Sequence, residues 1–357
     1  MTKIRMGRLP SHRGITIEEL AKRVKLTKGT VSAVLNDSPA AKAIPQSTKD
    51  RIFAAAKKFS YRPNFFARTL VKKRTFTIGV ITEEIGDAYG GMVISGIEAF
   101  LTHHKYFFLT VAHRHDPEKL ERYEDILLSR GVEGLITVDT QLTRSSPLPT
   151  VAVAGHQEIT GVTNVVLDQR HAAQAALKHL AGLGHREIAV MRGWPFSSDS
   201  TERWLSICEA ANEFGTPILP ELTVQLMGND TSPEIGYRMT KELLRRSRSF
   251  TALFAYNDVC AIGAVRAVRE MGLHVPKDIS IIGFDDIPAA AYHVPSLTTV
   301  RQPLAKMGEI AAQALVERLD GRKDYQKQIA VEAELMIRET TGTVCACPGA
   351  ARRKISV

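Results

Sequence analysis

The region from residue 76 to 300 constrains the fold most. Seven short apolar runs, mostly β-branched, recur along it: Thr77–Ile81, Phe107–Val111, Gly134–Val138, Thr150–Ala154, Ile188–Met191, Ala252–Ala255 and Ile279–Gly283. Amphipathic stretches with a helical period separate them, for example His171–Leu183 and Ala261–Met271. This alternation predicts parallel strands covered by helices. The series is too long for one sheet, so it predicts two doubly wound lobes. Ligands of such folds bind beyond the C-terminal ends of the strands, here in the cleft between the lobes.

Charge is concentrated at one end. Residues 1–75 hold 18 Lys and Arg against 4 Asp and Glu, a local balance of +14, although the whole chain carries only +9. The rest is therefore mildly acidic, at −5. A small basic module ahead of an acidic body points to nucleic acid for the first and another task for the second. No apolar run approaches the roughly 20 residues that span a bilayer. The first 14 residues are basic with no apolar segment behind them, so they read as a flexible arm and not a secretory signal. The expectation is a cytoplasmic protein without a membrane partner. The four cysteines suit a reducing compartment, and Cys345-x-Cys347 lacks a second pair or a nearby His to complete a metal site. Neither metal nor cofactor is expected.

The basic end is patterned. Thr16-x-x-Glu19 is a capping box, and Ile17, Leu20, Ala21 and Val24 share one face of the helix it starts. Lys25 and Leu26 form a turn. Thr27 caps a second helix whose buried stripe is Val31, Val34 and Leu35. Its other face carries Lys28, Gly29, Thr30, Ser32 and Asn36, small or polar groups of the kind a helix in the major groove needs. Ser47-x-x-Asp50 predicts the start of a third helix, with Ile52, Ala55, Ala56 and Phe59 on one face, ended by Pro63. Asn64 can cap a further short helix holding Ala67, Arg68 and Leu70. A helix so short is marginal alone and is expected to order only against DNA or a partner copy, with a simple linker as the alternative. A plain helical bundle is the other reading of the whole head, and the charge favours DNA.

Three strings in this region, T-I-E-E-L-A from Thr16, T-V-S-x-V-L-N from Thr30 and Y-R-P-N-x-x-A-R-x-L from Tyr61, resemble the head of the lactose/galactose repressor (LacI/GalR) family. The resemblance implies paired hinge helices in the minor groove, with Leu70 wedged between base pairs. It implies base contacts at Lys28 and Gly29. Thr27, Thr30, Ser32, Asn36, Tyr61 and Asn64 match positions that mostly touch phosphate or sugar, and Thr16, Ile17 and Arg68 complete the expected DNA-contacting set. Two departures reduce direct readout. Ala33 stands where many members have Arg, and Gly29 where a base-reading side chain is common. The link Asp37–Gln46 is also longer than usual.

The resemblance extends over the body through His179-Leu180-x-x-Leu183-Gly184-His185-Arg186, Asn257-Asp258, Val275-Pro276-x-Asp278 running on to Gly283-Phe284-Asp285-Asp286, and Leu297-Thr298-Thr299-Val300-x-Gln302-Pro303. It implies two lobes of the periplasmic-binding-protein type, crossed three times by the chain, and a homodimer or higher oligomer. Effector contacts are implied at Tyr89, Arg203, Asn257 and Asp285. A carboxylate at Asp285 can accept from two hydroxyls, and Arg203 donates in a fixed fork. Asp286, Asp258 and Asp168 read instead as helix caps or lobe bridges. Asp87-Ala88-Tyr89-Gly90 stands where the family often shows Asn-Pro-Phe/Tyr-Phe, so Gly90 removes a ring, and Thr231 occupies a second stacking position. Trp194 and Phe196 either replace that surface or simply pack. The site is expected to be wider or more polar than a typical sugar pocket.

The expected organisation is an arm at 1–14, a helix-turn-helix domain at 15–62, a hinge helix and linker at 63–75, an effector-binding and dimerisation domain of two lobes at 76–340, and a tail at 341–357. The function implied is a DNA-binding transcriptional regulator, a repressor, controlled by a sugar or related metabolite and acting on operator DNA. A transport receptor would suit the body but not the basic head. An enzyme is not expected, because no G-x-S-x-G, P-loop, HExxH or paired-carboxylate motif occurs. His103, His104, His113 and His115 read as a solvated face.

Overall fold

The computed structural model describes residues 15–62, 69, 74–247 and 249–344. The chain divides into two compact units between Thr75 and Phe76.

In the first unit, α1 (Ile17–Arg23) starts at the expected capping box. Thr16 Oγ1 accepts from the Glu19 amide at 3.2 Å, and Glu19 Oε2 accepts from the Thr16 amide at 2.7 Å. Thr27 caps α2 (Lys28–Leu35). The long link holds a 3₁₀ turn, Pro39–Ala43. α3 spans Gln46–Lys58 and differs from expectation at both ends. Pro45 occupies the cap position with φ −56°, so the helix starts ahead of Ser47, whose side chain caps nothing. The helix ends before Pro63, because Ser60 adopts φ +49° and turns the chain away. Leu20, Ala21, Val24, Val31, Val34 and Ile52 form the buried centre of the three helices. Pro63, Asn64, Arg68 and Leu70 lie outside the described residues, as do the expected arm and Cys345 and Cys347.

The second unit contains two six-stranded sheets. The first joins β1 (Thr77–Thr82), β2 (Phe107–Ala112), β3 (Gly134–Val138), β4 (Thr150–Val153), β5 (Val162–Leu167) and β11 (Gln328–Val331). Its order is β2-β1-β3-β4-β5-β11, and every pair is parallel. The second joins β6 (Ile188–Arg192), β7 (Thr223–Gln225), β8 (Ala252–Phe254), β9 (Ser280–Asp285), β10 (Thr298–Arg301) and β12 (Glu334–Met336). Its order is β7-β6-β8-β9-β10-β12, parallel except for β12 against β10. All seven expected runs are strands, and β5, β7, β10, β11 and β12 add to them.

Helices α4 (Ala88–His103), α5 (Pro117–Ser129) and α11 (Leu304–Leu319) belong to the first lobe. α6 (Gln169–Gly182), α7 (Asp199–Glu213), α8 (Pro233–Arg246), α9 (Asp258–Glu270) and α10 (Pro288–Tyr292) belong to the second. The chain crosses between lobes near Asp168, at Gln302–Pro303 and at residues 332–333. The return of α11 to the first lobe depends on glycine. A Cβ at Gly96 would meet the Ala305 carbonyl oxygen at 1.8 Å, and one at Gly308 would meet that of Val93 at 2.0 Å. The two backbones therefore touch, and no larger residue fits at either position.

The segment expected to begin a tail at 341 is anchored in the second lobe as far as Val344. The Thr341 hydroxyl bonds His179 at 2.9 Å, the Gly342 carbonyl bonds His185 at 3.0 Å, and the Val344 amide donates to Leu183.

Candidate functional site

On the first unit, Thr16, Thr27, Lys28 and Gly29 are exposed, and Ile17, Thr30, Ser32, Asn36 and Tyr61 are half-buried. Several are already engaged. Thr30 Oγ1 lies 2.8 Å from Thr27 Oγ1, and the Asn36 amide turns back to donate to the Ser32 carbonyl at 2.9 Å. Lys28 Nζ, the base-reading cation expected on α2, binds Glu18 Oε1 on α1 at 2.8 Å. Gly29 presents bare backbone at the start of α2, where an added Cβ would find only Thr27 Oγ1 nearby, at 3.8 Å.

In the second unit, Tyr89, Arg203, Asn257 and Asp285 line one cavity of about 530 Å³ between the lobes. Each sits where a strand hands over to a helix. Tyr89 opens α4 after β1, Asn257 caps α9 after β8, Asp285 ends β9, and Arg203 is one turn into α7 after β6. Strand ends converge there because parallel strands all point their C-termini at the same edge.

Arg203 is 4% exposed and heavily committed. Its Nε donates to Gln169 at 3.2 Å, one Nη to the Tyr256 carbonyl at 3.0 Å, and the other to Asp199 at 3.2 Å. Its guanidinium lies over the Phe284 ring, 3.7 Å from the centroid. Three of its five N–H groups are thus used, which leaves two for a ligand. Asp285 has φ +114°, a conformation that costs a non-glycine residue about 1–3 kcal/mol. Gln302 Nε2 donates to its carboxylate at 2.7 Å, and burial raises its pKa well above the ordinary value against the pull of Arg203. Asn257 uses Oδ1 to accept from the Cys260 amide at 2.9 Å, so its NH₂ is the part not spent on the cap. The buried Tyr89 hydroxyl has no hydrogen-bond partner among the described residues.

Trp194 and Phe196 both pack and line the cavity. Their rings stack with centroids 5.8 Å apart, and Trp194 Nε1 is buried with no acceptor among the described residues. Gly193 makes room for this wall, since a Cβ there would meet the Tyr256 ring at 2.1 Å. Gly90 and Thr231, where rings were expected to be lost, also line the cavity. A Cβ at Gly90 would come within 2.7 Å of the Asp87 carboxylate, which accepts from the Gly90 amide to cap α4.

A set of acids on the same walls was not foreseen from the amino-acid order. Glu83 and Glu84 follow β1, Asp139 follows β3, and Asp199 opens α7. Asp139 accepts from the Ser198 amide at 3.1 Å and the Ser198 hydroxyl at 2.8 Å, across the cleft. Burial, then the charge of Asp139 and a hydrogen bond to it, push the Glu83 pKa to about 10. These effects favour the protonated form of Glu83. His113 and His115 are not on a solvated face. His113 is buried, with a pKa pulled down to about 4 by that burial. His115 Nε2 lies 2.8 Å from Glu83 Oε1, and its ring covers Phe196 of the other lobe at 3.5 Å. They face inward because β2 delivers them to the same strand-end edge. Asp168 caps α6, Asp258 takes the Thr299 hydroxyl and the Ile287 amide, and Asp286 pairs with Arg301 and Arg338.

A helix-turn-helix unit and a two-lobed body enclosing a cavity into which Arg203, Asn257 and Asp285 converge, carried on one chain, define the class of ligand-responsive DNA-binding regulators. Residues 16–64 match the family model for bacterial regulatory proteins of the lacI family, and residues 177–341 match that for the periplasmic binding protein-like domain. The chain is 30% identical over 342 residues to the HTH-type transcriptional repressor PurR of Haemophilus influenzae, covering 92% of this chain and 99% of that one. It is similar in fold to the Lac repressor dimer bound to operator and the anti-inducer ONPF (TM-score 0.83, 23% identity, covering 93% of this chain and 100% of the other). It is also similar to the transcriptional regulator CelR–cellobiose complex (TM-score 0.66, 26% identity, covering 91% and 99%). The chain belongs to the LacI family and is a DNA-binding transcriptional regulator. No helix among the described residues is long and apolar enough to cross a membrane.

Proposed function

We propose that this regulator is a repressor that binds operator DNA as a homodimer and is controlled by a small molecule held between its lobes. It acts in the cytoplasm as a binding protein and not as a catalyst. The observation that carries the reading is the cavity of about 530 Å³ into which Tyr89, Arg203, Asn257 and Asp285 converge. Its volume suits a small metabolite of the size such clefts hold.

In this reading Lys28 and Gly29 meet base edges, while Thr16, Ile17, Thr27, Thr30, Ser32, Asn36, Tyr61, Asn64 and Arg68 meet mainly the backbone. With so few base-reading side chains on α2, much of the specificity falls to Leu70, to minor-groove shape and to half-site spacing. Effector binding alters DNA affinity only because it favours one lobe arrangement over the other. Selection of duplexes from random sequence, followed by binding of wild type and Leu70→Ala, tests the DNA half. A palindromic consensus and a large loss on Leu70→Ala are expected, and unchanged affinity removes the hinge from the account. Steep weakening with salt is also expected, because phosphate contacts dominate.

A further inference from the structure

The cavity is strongly asymmetric in charge. On the second lobe, Asp199 is answered by Arg203 at 3.2 Å and, from the first lobe, by His156 at 2.5 Å. On the first lobe, Glu83, Glu84, Asp87 and Asp139 line the wall, and no Lys or Arg pairs with any of them among the described residues. Their partners are neutral donors: Thr231 for Glu84, the Gly90 amide for Asp87, and Ser197 and Ser198 for Asp139. The remaining neighbour, His115, lies 2.8 Å from Glu83, and burial lowers its pKa.

A second, independent feature points to a ligand. Trp194 is only 3% exposed, yet its indole N–H, on the facing wall, has no acceptor among the described residues. A buried donor without a partner costs about 1–3 kcal/mol, and such groups are rare unless something else satisfies them. The walls thus offer the Trp194 N–H beside stacked rings, in addition to the donors of Arg203, Asn257 and Tyr89, and opposite Trp194 an acid wall that no described Lys or Arg pairs.

We propose that the effector is a hydroxylated molecule bearing a protonated amine, of the amino-sugar class, whose ammonium group sits against Glu83, Asp87 and Asp139. This rests on the reading of the cavity as the effector site. The ammonium supplies the missing cation, and its three N–H groups match three carboxylates. A hydroxyl or ring oxygen answers Trp194, while Phe196 and Trp194 cover a face of the ring. Arrival of the cation favours loss of a proton from Glu83, whose pKa is raised by burial and by Asp139. The charged groups that set this proton are Asp139, Asp87 and Glu84 on the same lobe, His115 beside it, and Asp199 with Arg203 and Asp285 across the cleft.

Calorimetric titration of the full-length protein with matched pairs tests this: glucosamine against glucose, galactosamine against galactose, and mannosamine against mannose. The amine of at least one pair binds about tenfold or more tightly than its hydroxyl twin, as charge-assisted hydrogen bonds require. Glu83→Gln or Asp139→Asn weakens the amine by about tenfold more than it weakens the twin. Repeating the titration in buffers of different ionisation enthalpy shows a proton released with the amine and none with the twin. Neutral sugars that bind as tightly as their amines in all three pairs, or amine binding indifferent to both variants, overturn the proposal. So does failure of every amine to bind at millimolar concentration. Binding of any of these compounds that survives Asp285→Ala and Arg203→Lys intact would instead place it outside the cavity and overturn the effector-site reading.

Discussion

His156 of the first lobe places its Nε2 2.5 Å from Oδ1 of Asp199, the first residue of α7 in the second lobe. Arg203, four residues along α7, binds the other oxygen of the same carboxylate at 3.2 Å. One buried acid therefore ties the first lobe to the arginine that lines the cavity. That carboxylate gives changes in lobe spacing one direct route to Arg203.

The His156 bridge makes the body sensitive to pH. Burial lowers the His156 pKa, but the bond and charge of Asp199 overcome it and raise the pKa above the usual value. The group is raised, so its contribution is complete below the unfolded value of about 6.5 and fades as pH climbs through the folded value. Asp199 is lowered, so its share is present at neutral pH and fades only in acid. Thermal unfolding of the wild type should lose stability as pH rises above about 6.5. In His156→Gln that dependence should be visibly flatter. An equal slope in both proteins removes His156 as the cause.

Gly193→Ala should damage the cavity through Tyr256. The added methyl meets the ring at 2.1 Å, and Tyr256 supplies both the hydroxyl bonded to Ser197 at 2.7 Å and the carbonyl bonded to Arg203. Overpacking of this kind costs about 1–3 kcal/mol. Chemical denaturation should show that loss, together with weakened binding of any cavity ligand. Unaltered stability would mean that the ring moves aside freely.

Glu18→Gln should strengthen DNA binding. Lys28 is tied to Glu18 across two exposed side chains, and the carboxylate also repels phosphate. Its removal frees Lys28 for the major groove. Fluorescence anisotropy on a selected duplex should give several-fold tighter binding at low salt, an advantage that shrinks as salt rises. Weaker binding would show instead that Glu18 positions Lys28.

Much of this architecture is legible in the amino-acid order. The capping box at Thr16, the stripe Val31–Val34 and the seven β-branched runs are local patterns, and each became the element expected. The strands that escaped have physical reasons. β7 and β12 have three residues each, β11 is half-exposed, and β5 and β10 carry Thr and Asn inside their apolar runs. Ser47 matched a cap pattern that Pro45 pre-empted. The acid wall was missed because Glu83, Asp139 and Asp199 are far apart in sequence and meet only when strand ends converge. A signal was present all the same, since Glu83-Glu84 and Asp139 each stand just after an apolar run, at the edge where parallel sheets bind ligands. His115 was misread for the same reason.

Occupancy of the cavity should change DNA binding. Anisotropy of the full-length protein on its selected operator, with and without a compound shown to bind the body, tests it most directly. A shift in operator affinity of about tenfold is expected, within the usual range of coupling between sites, as is its loss in Asp285→Ala. Identical operator affinity with the cavity filled and empty would contradict it.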